Sequence, residues 1–150
     1  KRYGFFHENP LPLYERYMGR SPFDRGTGIR TSDQAEYCFN RLREQAYHVM
    51  FVGHVHSPRG WMFKKGQTTS LDMRQPVNLD PDASYILGPG AVAEPKVFTQ
   101  HAVVRPRADF NGHYGILDFD NATFSVHSLP LFRDRKTTFV VKKGNERDYT

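Results

Sequence analysis

The 150 residues are 38% apolar and 25% charged, with 12 Phe, 8 Tyr and 1 Trp, a composition that suits one ordinary globular core. No apolar run approaches the ~20 residues of a membrane-spanning helix, and Cys38, as the sole cysteine, excludes an intrachain disulfide framework. Lys and Arg exceed Asp and Glu by 21 to 16, and the resulting +5 favours anionic ligands. The basic residues are nevertheless dispersed, singly or in pairs such as Arg41/Arg43, Lys64/Lys65 and Lys142/Lys143, which argues against a nucleic-acid partner.

The first residue is Lys1, and the run 3–7 reads as a strand with no signal-peptide pattern ahead of it. A piece of a longer, cytoplasmic protein is expected. Asn9-Pro10 has the form of a helix start, a capping Asn followed by Pro at the first helical position. Leu11, Tyr14 and Met18 continue it at helical spacing, Gly19 supplies a stop, and residues 20–30 read as a surface loop. Thr31 and Gln34 have capping-box spacing, and Ala35, Cys38, Leu42 and Ala46 trace an apolar stripe, so the pattern predicts a helix over 32–46. The compact run 48–52 is too short for a helix and predicts a buried strand.

Beyond residue 57 helical periodicity disappears. Short strands are predicted at 61–63, 71–73, 85–87, 113–119 and 123–129, with Asp120-Asn121 at a hairpin turn. The charged end, residues 138–150, is expected to fray.

The strongest chemical signal is Gly53-His54-Val55-His56, at the exit of a buried strand. In a flat strand the two imidazoles would face opposite sides. On a loop they can converge on one metal, serve one each of two adjacent ions, or simply face solvent. His7 also stands at the end of a predicted strand, and if the two strands are parallel neighbours, His7 and His54 share one sheet edge, where ligands bind in open α/β sheets. Gly88-Pro89-Gly90-Ala91-Val92, after a third strand, suits close backbone packing near such a site.

These segments resemble the calcineurin-like metallophosphoesterases, especially the small phosphodiesterase-type members. His7-Glu8-Asn9-Pro10 is similar to the family's His-Gly-Ser-Pro, Gly53-His54-Val55-His56 to its Gly-His-Thr-His, and residues 88–92 to its Asn-Pro-Gly-Ser-Val loop. The resemblance spans roughly residues 3–132. It implies an α/β fold with a two-layered β-sandwich flanked by helices, in which His7 and His54 ligate one divalent ion and His56 a second. Mn, Fe, Zn, Ni or Co would suit imidazole donors.

The family's Asp-x-His, Gly-Asp and Gly-Asn-His motifs do not occur here, and Asn111-Gly112-His113 has those residue types in another order. The resemblance therefore implies the C-terminal portion of one metallophosphoesterase domain. Its N-terminal half, carrying the bridging Asp and the general acid, would lie outside this chain. The complete protein is expected to hydrolyse a small phosphorylated substrate, while these residues alone should bind metal weakly and be inactive. A non-catalytic scaffold on the same fold is the alternative. Within the matched segments, Glu8-Asn9 in place of Gly-Ser adds a carboxylate beside the site, and residues 96–107 look like an insertion that shapes the substrate. Cys38 is read as a small buried hydrophobe, Trp61 and Phe63 as core aromatics or, in the alternative, as a cover over the site, and His48, His101, His113 and His127 as surface or satisfied core residues.

Overall fold

The computed structural model describes residues 1–11, 28–91 and 111–130. The helix expected after Pro10, most of the 20–30 loop, residues 96–107 and the tail at 138–150 lie outside the described residues. Eight strands and one α-helix are described. They are β1 (Arg2–Phe6), α1 (Ser32–Arg41), β2 (Tyr47–Val52), β3 (Arg59–Lys64), β4 (Gln67–Ser70), β5 (Val77–Asn78), β6 (Ser84–Gly88), β7 (Asn111–Asp118) and β8 (Thr123–Pro130).

The strands form a five-stranded sheet, order β1-β2-β6-β3-β4, and a three-stranded sheet, order β5-β8-β7. β1, β2 and β6 run parallel; β3 and β4 are antiparallel additions. Alternation along β2 and β6 explains the layering, because successive side chains point to opposite faces. Met50, Val52 and Ile86 pack on one face with Ala35, Cys38, Phe39 and Leu42 from α1. Val49, Tyr85 and Leu87 face the other way and meet Val77, Leu79 and Phe124. One apolar run thus supplies two cores, helix on sheet and sheet on sheet.

The capping box forms: Gln34 N–H donates to Thr31 Oγ1 at 3.3 Å, and Thr31 N–H donates to Gln34 Oε1 at 3.2 Å. The helix is shorter than the predicted 32–46. It ends at Arg41 and passes through a 3₁₀ turn at Arg43–Gln45 into Ala46, which adopts a left-handed φ of 50° and is exposed. Leu42 is the last stripe residue to reach the core, and the tight turn redirects the chain into β2.

The strand expected at 71–73 lies earlier, at Gln67–Ser70. Lys65 and Gly66, with φ of 50° and 79°, form a two-residue turn that pairs Lys64 with Gln67 and pulls the polar Thr-rich segment into the sheet. At Asp72 the chain turns instead, its carboxylate accepting the Arg74 backbone N–H at 3.1 Å. The loop read as surface over 20–30 also differs at its end. Gly28 and Ile29 are buried, Ile29 beneath α1 in the helix-side core.

Candidate metal centre

The parallel pairing that places the site is direct. Phe6 of β1 is in register with Val52 of β2, and Phe51 with Leu87 of β6, so all three strands end on one edge. Residues 7–8, 53–56 and 89–91 leave the sheet there. Gly53 N–H donates to Phe6 O at 3.0 Å, holding the first two exits side by side. The approach leaves no room for a side chain at position 53, where a Cβ would stand 2.8 Å from the His7 carbonyl oxygen.

His54 then takes a φ of 65°, and Val55 N–H closes back on Gly53 O at 2.8 Å. This is a γ-turn of the positive-φ hand, rare for a residue with a Cβ and costing about 1–3 kcal/mol. The strained turn aims the imidazole across the edge. His7 and His54 meet edge to face with ring centroids 5.9 Å apart, and His54 Nδ1 lies 4.0 Å from Glu8 Oε1. One donor atom from each of His7, Glu8 and His54 lies within 4.8 Å of the others. The His54 ring also lies against the buried backbone of Gly28.

His56 is exposed and stands outside that three-residue group. Its backbone is fastened to the third exit: Ala91 N–H donates to His56 O at 3.2 Å, and His113 N–H of β7 donates to Ala91 O at 2.8 Å. Gly90, at φ 95°, makes this possible, since a Cβ there would sit 2.8 Å from the same His56 oxygen. The Gly/Pro loop therefore acts as a backbone clasp between the histidine loop and the second sheet.

Two nitrogen donors and one carboxylate oxygen, converging at a sheet edge, form a donor set suited to a first-row divalent ion. The residues present fit such an ion. Asn9, next in the chain, is fully buried, and its Oδ1 accepts Leu11 N–H at 3.0 Å.

The remaining histidines sort by packing. His48 is buried, with Nδ1 2.9 Å from Ala83 O and rings of Tyr3 and Tyr85 at its edges, but Nε2 finds no partner among the described residues. Burial pushes its pKa below the ordinary 6.5, and the Lys1 charge adds to the effect. His113 Nδ1 is likewise buried without a partner among the described residues, so neither ring is fully satisfied, contrary to the sequence expectation. His127 stacks on Tyr114 at 5.3 Å, and His101 lies outside the described residues. Cys38 is buried, Trp61 is buried, and Phe63 stacks on Phe39 at 5.3 Å, as core residues do.

No family model matches the sequence, and no curated protein matches it. Among solved structures the chain is similar to a metallophosphoesterase from Sphaerobacter thermophilus, with a TM-score of 0.54 and 19% identity over 85% of this chain and 44% of that one. It spans less than half of that structure's length. At this identity the likeness is one of fold, and the mixed α/β arrangement of two facing sheets with a flanking helix is a portion of a metallophosphoesterase fold.

Proposed function

We propose that this chain supplies part of a divalent metal centre that hydrolyses phosphate esters. The observation that carries the reading is the convergence of His7 and His54, from two parallel strand ends, on a fold shared with a metallophosphoesterase. In this reading His7 and His54 hold one ion and His56 a second, while a bridging carboxylate and the general acid come from polypeptide beyond these residues. When bound, such ions supply Lewis-acid stabilisation of the charge that builds on a phosphoryl group during in-line attack.

The residues of this chain hold and orient. His7 and His54 are locked by the Phe6–Gly53 hydrogen bond and the γ-turn, and the Gly90–Ala91 clasp holds the His56 backbone. Such fixed donors keep their geometry without reorganisation during the reaction. The net charge of +5 favours an anionic substrate, a small phosphate monoester or diester. Among the described residues no helix is long and apolar enough to cross a membrane, and the lone buried Cys38 suits a reducing compartment such as the cytoplasm.

The test is hydrolysis of chromogenic phosphate mono- and diesters by the complete protein loaded with Mn²⁺, alongside a His54→Ala variant and metal analysis by mass spectrometry. Metal-dependent turnover that the variant loses, with an ion lost in parallel, is the expected result. Undiminished turnover by the variant would overturn the assignment, and a metal-loaded protein that hydrolyses neither ester class would favour the scaffold alternative. The 150-residue chain alone is expected to be inactive in the same assay.

A further inference from the structure

Glu8 is the residue at this edge that the ligand assignment above leaves without a role. Along an ideal strand residues 7 and 8 would point to opposite faces. Here β1 ends at Phe6 and the chain bends at His7 and Glu8, so both side chains reach the same point. Glu8 is fixed from both sides. On one, Gly53 is hydrogen-bonded to Phe6; on the other, the fully buried Asn9 closes its turn onto Leu11. The Glu8 side chain is 22% exposed, withdrawn from full solvation, and its Oε1 lies 4.0 Å from Nδ1 of His54.

We infer that Glu8 is a direct ligand, and that His7, Glu8 and His54 form a site of two imidazoles and one carboxylate which holds one divalent transition-metal ion within this chain alone. The inference rests on the metal-centre reading of this edge and deepens it. Donors sharing one ion at bonds of about 2.1 Å stand roughly 3.0–3.4 Å apart, so the 4.0 Å between Glu8 and His54 closes with a shift of under an ångström. The γ-turn at His54 is the independent observation. It holds His54 in a backbone conformation that residues with a Cβ rarely adopt, with the ring Nδ1 4.0 Å from the Glu8 carboxylate. Charge supports the same assignment. Neutral imidazoles alone would leave a dication uncompensated, whereas one carboxylate offsets half of its charge, and three protein donors leave open positions for water or a phosphate oxygen.

Calorimetric titration of the 150-residue chain with Zn²⁺, and with Co²⁺ for its visible spectrum, tests this. One ion per chain is expected. Glu8→Gln, which keeps size and hydrogen-bonding capacity, should weaken binding at least about tenfold and shift the Co²⁺ absorption bands, with the circular dichroism spectrum unchanged. Glu36→Gln, on the exposed face of α1, removes the same charge elsewhere and should leave affinity as it was. Wild-type affinity and an unaltered Co²⁺ spectrum in Glu8→Gln would overturn the proposal and reduce Glu8 to an electrostatic neighbour of His54; failure of the wild-type chain to bind an ion would also overturn it. Neither result bears on hydrolysis by the complete protein. Conversely, Glu8-dependent binding in a complete protein that hydrolyses no ester would remove the phosphoesterase reading and leave the ligand assignment standing.

Discussion

The parallel and antiparallel halves of the five-stranded sheet are built in different ways. Among the antiparallel pairs, β3 with β4 and β7 with β8 reverse locally, whereas β3 with β6 and β5 with β8 pair across longer stretches of chain. Lys65-Gly66 turns β3 into β4, and in the facing sheet the Asp118 carboxylate accepts N–H bonds from Asp120 and Asn121, both at 3.0 Å, to turn β7 into β8. On the parallel side no strand is joined to its neighbour by a short turn. β1 and β2 are separated by the segment containing α1, and β2 and β6 by β3, β4 and β5. Their alignment depends on the cores on the two faces of the sheet, and their common end gathers His7, Glu8 and His54. Backbone strain follows the same division. Positive φ at Ala46, Lys65 and Ala122 occurs in chain-reversing turns, whereas at His54 it serves to aim a donor. Short-range turn chemistry thus fixes the two hairpins, while the strand ends that form the site are aligned by packing.

Breaking the parallel half should have the largest effect. Ile86 is fully buried on the central β6 beneath α1, so Ile86→Ala should cost about 2–5 kcal/mol in chemical denaturation, and the metal affinity should fall as the strand ends lose register. His54→Gly separates the two roles of the γ-turn. Relieving the positive φ should stabilise the metal-free chain by about 1 kcal/mol, while calorimetry shows the loss of metal binding; a variant less stable than the wild type would show that the turn is not strained. Thr31→Ala removes one half of the capping box and should cost about 1 kcal/mol, with metal affinity unchanged because α1 packs on the sheet through Ala35, Cys38 and Phe39 and contributes no donor to the three-residue group.

The smallest expected effect is a pH dependence from His48. Its pKa is lowered by burial, so below the ordinary 6.5 the unfolded chain takes up a proton that the folded chain resists. The stability of the metal-free chain should therefore be fully present above that value and decline as the pH falls through 6.5 towards the lowered native value. Thermal melts across this range should show the decline, and His48→Gln should flatten it. An equal decline in the variant would place the effect elsewhere.

Much of the scaffold was legible in the residues because its signals are short-range. The Thr31/Gln34 pair caps α1 as the spacing predicts, the apolar run 48–52 is a buried strand, and Asp120-Asn121 sits in the β7–β8 turn. β4 was illegible as a strand because Gln-Thr-Thr-Ser lacks an apolar face; the signal available was Lys65-Gly66 followed by two β-branched threonines. The burial of Gly28 and Ile29 was illegible for another reason. A Gly-rich segment has the composition of a surface loop, and only the proximity of the His54 ring and the helix-side core draws it inward.

The order of residues alone puts particular side chains at the ends of the apolar runs: imidazoles at 7, 54 and 56, a carboxylate at 8, and glycines at 53 and 90 where backbones must approach closely. Which of them meet is set by strand pairing and packing. Parallel pairing sets Phe6 beside Val52, the bend after β1 brings Glu8 to the same point as His7, and the γ-turn swings His54 toward both while His56 is left outside the group. None of these is a property of local spacing. Parallel strands have no turn of their own to set their register, so convergence at their ends is fixed only when the side chains on both faces of the sheet pack.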